Sequence, residues 1–158
     1  ARNTLTQRTF GPTSSGSAAI DVSHLRDGDV AGLAAFQNQY GFVGVKMEGG
    51  KKSLVMQRAR KKDDAAGQVI ESIPLQQGVV HLKVDCDFGY DKKDKASFYY
   101  SYDGKTWTRI GDVLQMAYDW PDFVGYRFGL FYYSTQQPGG YVDFDFFHVS
   151  AAIGPAGL

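Results

Sequence analysis

Cysteine occurs once, at Cys86, so no disulfide can form within the chain. Charge of either sign is not in excess: 17 Lys and Arg balance 17 Asp and Glu. The concentrated positive field that a phosphate backbone requires is therefore missing, and nucleic acid is not an expected partner. The one basic run, Arg58 to Lys62, is followed at once by Asp63 and Asp64 and reads as a solvated hairpin end. No apolar run approaches the roughly 20 residues that a membrane-crossing helix needs. Long helical periodicity is also missing. His24, His81 and His148 do not fall at zinc spacing, and neither H-E-x-x-H nor CxxC occurs. There is no G-x-S-x-G elbow for a nucleophilic serine and no glycine-rich phosphate loop opening a helix. No leader-like segment opens the chain. It starts directly in the strand-like run RNTLTQRTF, which favours a piece cut from a longer protein. A lone cysteine fits cytoplasm and bacterial secretion equally, so localisation stays open.

What the chain does have is aromatic residues, glycine and short alternating runs. Of 158 residues 15% are Phe, Tyr or Trp, and 19 are glycine. That length suits one domain with a real core; residues 1–150 are assigned to it and 151–158 to a C-terminal tail or linker. Expected strands are Thr4–Phe10, Ser17–Val22, Val30–Gln37, Gly41–Met47, Ser53–Arg58, Gly67–Ile73, Val79–Asp87, Ala96–Tyr102, Thr106–Ile110, Tyr126–Ser134 and Tyr141–Val149. Asp27-Gly28, Gly49-Gly50 and Asp103-Gly104 supply residues that tolerate positive φ in tight turns. Eleven short strands exceed one comfortable open sheet, so the expected fold is all-β, two packed antiparallel sheets in a sandwich. In Val79–Asp87, Val80, Leu82, Val84 and Cys86 alternate with His81, Lys83, Asp85 and Asp87, giving one buried and one wet face. The alternation places Cys86 inside, as an inert thiol.

The last quarter is the most aromatic. Tyr126, Phe128, Leu130 and Tyr132 share one face of a strand, and Phe131 and Tyr133 the other. After a turn containing Pro138, Gly139 and Gly140, Val142, Phe144 and Phe146 alternate with Asp143 and Asp145, so the two strands read as a terminal hairpin in one sheet. Rings on both faces exceed what one core needs. The surplus suggests a surface for something flat, and a pyranose, with an apolar C–H face and a rim of hydroxyls, fits. Candidate stacking rings are Tyr118 and Trp120 on the long irregular segment Val113–Val124, Tyr132 or Tyr133 on the sheet, and Tyr40 with Gln37 and Asn38 beside it. That long segment should also expose Met116. Trp107 should pack back over its own hairpin.

Two other chemistries have partial support in the acidic residues. Asp143 and Asp145 lie two apart, with backbones ~7 Å apart on a regular strand. That falls in the ~6.5–9.5 Å range of an inverting glycosidase pair. Nothing in the sequence would raise the pKa of one of them, so ordinary polar alternation explains them better, and they are kept as partners for sugar hydroxyls. Asp85, Asp87 and Asp91 are spaced around Gly89 like oxygen ligands for calcium. An EF-hand register would put Ala96 where a bidentate Glu belongs, and Lys92, Lys93 and Lys95 can neutralise the acids instead. No metal is therefore assigned, with calcium the alternative, and no cofactor is expected.

The segments NTLTQRTFGP, AIDVSHLRDGDVAGLAAFQNQYGFVGVK, FYYSYDGKTW and YVDFDFFHVS resemble the C-terminal module of family 43 glycoside hydrolases, chiefly β-xylosidases and arabinofuranosidases. The resemblance runs over nearly the whole chain. It implies a concanavalin-like β-sandwich, in some members classed as a xylan-binding module of carbohydrate-binding family 91. In relatives, Trp-rich strand segments usually precede the point where this chain begins, so it implies either a piece outside this sequence or a rearranged sheet edge. It also implies partners: xylan or xylo-oligosaccharides, and a catalytic propeller on which the module packs. Phe123, in DFVGYRFG, matches a loop aromatic that leans into the propeller's active-site mouth. The family's catalytic carboxylates belong to the propeller, so the chain itself is not expected to be an enzyme.

Overall fold

The computed structural model describes residues 3–59, 67–89, 94–117 and 125–154. Among them are twelve strands and no helix, arranged as two antiparallel sheets. The front sheet has the order β1 (Asn3–Arg8), β11 (Arg127–Ser134), β3 (Asp29–Phe36), β4 (Tyr40–Glu48), β5 (Lys51–Ala59), β6 (Gln68–Pro74). The back sheet has the order β10 (Leu114–Gln115), β8 (Lys95–Ser101), β7 (Val79–Asp87), β2 (Thr13–Asp21), β12 (Asp143–Ser150), with β9 (Thr108–Arg109) also paired to β8. The expected all-β sandwich is what forms.

Alternation explains the core. Leu33, Val43, Val45, Leu54, Met56 and Phe128 point inward from the front sheet, and Ala18, Ile20, Leu82, Val84, Cys86 and Phe98 from the back. Phe98 is wholly buried. A methyl group added at Gly41 would sit 2.7 Å from its ring, so glycine on β4 makes room for the opposite sheet's largest knob. Emptying such a site costs about 3–5 kcal/mol. Positive φ falls where the turns need it, 89° at Gly28 and 71° at Gly104.

Four expectations are corrected. The two aromatic strands of the last quarter do not share a sheet: β11 pairs with β1 and β3, and β12 with β2. The Pro138–Gly140 turn therefore crosses between layers. Within β12 the register slips between Phe144 and Phe146, leaving Asp145 as a bulged residue. Phe144, Phe147 and Val149 pack against the core, whereas Phe146 lies beside His81 and His148 rather than on the face of Phe144. Met116 is not exposed; at 4% exposure it belongs to the core, next to the short strand β10 that alternation did not reveal. Lys83 and Asp85 are not on a wet face, because Ala151–Gly154 lies across them: Gly154 N–H donates to Asp85 Oδ2 at 2.8 Å, and Lys83 Nζ donates to Gly154 O.

Candidate functional site

The outer face of the front sheet carries a second apolar cluster, separate from the core. Val30, Ala34, Phe42, Val55 and Phe131 are buried there, with Phe36, Tyr40 and Tyr133 packed against them. Register builds it. Phe131, Gly32, Gly44 and Val55 stand in one row across four strands, and Tyr133, Val30, Lys46 and Ser53 in the next. Gly32 and Gly44 are cross-strand partners with no space above them: a methyl at Gly44 would lie 2.3 Å from Ala31 O. Rings flank this floor. Phe42 meets Phe131 edge-on at 4.9 Å, and Tyr133 stacks along Phe131 at 6.0 Å.

At one end of the cluster a cleft of about 300 Å³ opens between β3, β4 and β11. Tyr133, Val30, Lys46, Glu48, Gln57 and Asp29 are among the residues that line it. One wall is thus an aromatic ring and the rest largely hydrogen-bonding groups. Burial raises the Tyr133 pKa, with nearby Tyr40 adding to the rise, so the hydroxyl stays a donor at neutral pH. Burial lowers the pKa of Lys46, and Glu48 opposes that shift. Asp29 is fully buried; its Oδ2 accepts from Arg26 N–H at 2.8 Å, and strand parity turns its carboxylate inward, beside Gly140 and the Tyr132 hydroxyl rather than toward the Tyr133 ring. Gln57 and Tyr40 meet further along the face, since a methyl at Gly67 would lie 2.8 Å from Gln57 Nε2 and 3.0 Å from the Tyr40 hydroxyl.

The structure places the residues singled out in the sequence as follows. Tyr133 lines the cleft, and Tyr40 shares its face. Gln37 lies just beyond β3, where its N–H donates to Gln39 O in the turn leading into β4. Tyr132 faces the other way, packed against the core with its hydroxyl donating to Gly140 O at 2.8 Å, so it is not a surface platform. Asp143 and Asp145 are exposed on β12, in the opposite sheet from Tyr40 and Tyr133, and the bulge at Asp145 breaks the regular two-residue spacing on which their pairing rested. Asp85 is engaged by Gly154 and Lys83, and Asp87 ends β7 half-buried. Among the described residues no group of three or more acidic, His or Cys side chains is set to hold a metal. Tyr118, Trp120, Phe123 and Asp91 lie outside the described residues. Trp107 does not rest only on its hairpin; its ring centroid is 4.9 Å from Lys83 Nζ on β7. Asp29, Lys46, Glu48 and Gln57 were missed. Gln57 left a signal, a lone amide at an outward position in line with Val55.

A sandwich of two antiparallel sheets in this arrangement defines a concanavalin-type module. Residues 1–150 match the family described as the β-xylosidase C-terminal concanavalin A-like domain, and the chain belongs to it. It is 28% identical over 149 residues to a β-xylosidase of Formosa agariphila, covering 93% of this chain and 23% of that protein. A bifunctional GH43-CE protein of Bacteroides eggerthii is similar in structure, with a TM-score of 0.90 and 49% identity over 98% of this chain and 19% of that one. So is an engineered family 43 glycoside hydrolase with both endo-xylanase and exo-arabinofuranosidase activity, at TM-score 0.89 and 35% identity, covering 96% of this chain and 32% of that one. The chain thus spans a third or less of each of these relatives. It corresponds to their C-terminal module and not to the catalytic propeller.

Proposed function

We propose that this module is non-catalytic and binds xylan or xylo-oligosaccharides in the cleft on the front sheet, holding an attached family 43 hydrolase near its polymer. The observation that carries the reading is the composition of the cleft: the Tyr133 ring for the C–H face of a sugar, and Lys46, Glu48 and Gln57 for its hydroxyls. Tethering then raises the enzyme's effective concentration at the polymer without any new contact. A few such interactions support micromolar to millimolar affinity, about −4 to −8 kcal/mol. Affinity electrophoresis against soluble xylan, arabinoxylan and a cellulose derivative tests it. Retardation by xylan that Tyr133→Ala weakens by roughly 1 kcal/mol supports the reading. Equal migration with and without every polysaccharide defeats it.

A structural role is the second reading, and a different surface favours it. The sandwich is open along its β1–β12 flank, where Leu5 is 72% and Tyr141 49% exposed. Leu130, Val142 and Phe144 line the same opening, of about 460 Å³. This apolar flank is where a catalytic propeller in the same polypeptide would pack. In the full-length parent, Leu5→Asp should then lower activity and thermal stability together. An unchanged melting temperature and unchanged turnover would remove this reading.

A further inference from the structure

The outer face of the back sheet holds a second polar site that the cleft does not explain. Lys83 and Asp85 point outward from β7, yet they are only 6% and 5% exposed. Their cover is the segment Ala151–Gly154. Thr13 Oγ1 donates to Ala151 O at 2.7 Å, Lys83 Nζ donates to Gly154 O, and Gly154 N–H donates to Asp85 Oδ2 at 2.8 Å. The ammonium stands 3.8 Å from that carboxylate and 4.8 and 4.9 Å from the ring centroids of Tyr99 and Trp107. Asp85 Oδ1 is buried with no donor against it. A charge pair has thus been drawn out of water to hold the N–H and C=O of one glycine, and it is left incompletely hydrogen-bonded, an expensive arrangement for a purely structural contact.

We propose that Lys83 and Asp85, bordered by Tyr99 and Trp107, form a second saccharide site that grips a vicinal hydroxyl pair, and that residues 151–154 are a strap occupying it in the free protein. Gly154 offers one acceptor, its C=O, and one donor, its N–H, and a pair of adjacent sugar hydroxyls offers the same. The first hydroxyl takes the place of Gly154 O on the ammonium. The second replaces Gly154 N–H on the carboxylate, and a further hydroxyl satisfies Asp85 Oδ1. The neighbouring rings supply apolar contact for sugar C–H groups. The strap is held by hydrogen bonds to its backbone and not by its side chains. Ala151 and Ala152 are exposed and Ile153 is 40% exposed, so no large side chain ties it down. Such a segment opens at low cost. The site lies on the opposite sheet from the Tyr133 cleft and stands or falls independently of it.

The test uses the full chain carrying Tyr133→Ala, which removes the cleft's ring, and titrates it with xylohexaose. Gly154 has φ near 120° and donates its N–H, so Gly154→Pro, which allows neither, releases the strap. Release should raise apparent affinity by roughly tenfold, because the closed strap no longer reduces the competent population. Adding Lys83→Met should cancel that gain. Unchanged affinity on release, or a gain that survives Lys83→Met, overturns the proposal. If Gly154→Pro fails to fold, amide hydrogen exchange at Gly154 in the unsubstituted chain decides. Saturating xylohexaose must speed that exchange by displacing the strap; exchange that is unchanged or slower overturns the proposal.

Discussion

Gly32 and Gly44 face each other across β3 and β4 in a gap that excludes even a methyl group. The obstructing atoms are backbone carbonyls of paired strands, which cannot move aside as a flexible side chain can. Gly44→Ala should therefore lower stability by about 1–3 kcal/mol, measured as a lower urea midpoint at unchanged m-value. It should also roughen the floor beside the Tyr133 cleft. Cys86 shows the same closeness of packing from inside. Burial pushes its thiol pKa up to about 12, with Asp85 adding to the shift. Native protein at pH 8 should leave a disulfide reagent untouched until denaturant is added, and reaction at the rate of a free thiol would contradict this packing.

At the scale of elements, the turn after β8 is held by two side chains, Ser101, whose Oγ accepts from Gly104 N–H at 2.9 Å, and Asp103. Asp103 accepts from Lys105 N–H and Thr106 N–H at 2.8 and 2.7 Å and from Ser101 Oγ at 2.8 Å. These bonds, the backbone ones foremost, hold its carboxyl well below the usual carboxylate range. A carboxylate with a lowered folded-state pKa contributes stability above its ordinary value near 4, and that contribution fades as pH falls toward the folded-state value. Asp103→Asn should therefore melt below the parent at pH 7, with the gap narrowing progressively below about pH 4. A gap constant across that range would contradict the assignment. The strands themselves were legible because each inward position is apolar: Val79–Asp87 is the same in sequence and structure, and most other boundaries agree within two or three residues. Sheet membership was not legible. Alternation fixes which face a residue shares, but it does not say which strand comes alongside, so β11 and β12 looked like one hairpin. The bulge at Asp145 was hidden for a related reason, since Phe144 and Phe146 are equally apolar and only the pairing with β2 shows the slip.

At the scale of the whole molecule, the sandwich turns two outer faces to its surroundings, and they differ. The front face is apolar with a polar cleft at one end, while the back face carries Lys83, Asp85 and the strap. Tyr40 and Tyr133 were legible as surplus rings because strand parity put them opposite the core. Lys46 and Glu48 were not, because each looks like ordinary surface charge on β4 by itself, and only the pairing of β3 with both β4 and the distant β11 puts them beside Tyr133. The expectation that Asp143 and Asp145 join the tyrosines failed for the same reason, since they sit in the other layer. The most direct measurement is a map of backbone amide shifts in the labelled module as xylohexaose is added. The account predicts the largest changes at Val30, Lys46, Gln57 and Tyr133, saturating in the micromolar to millimolar range. No change at millimolar ligand, or changes confined to the β1–β12 flank, would contradict it.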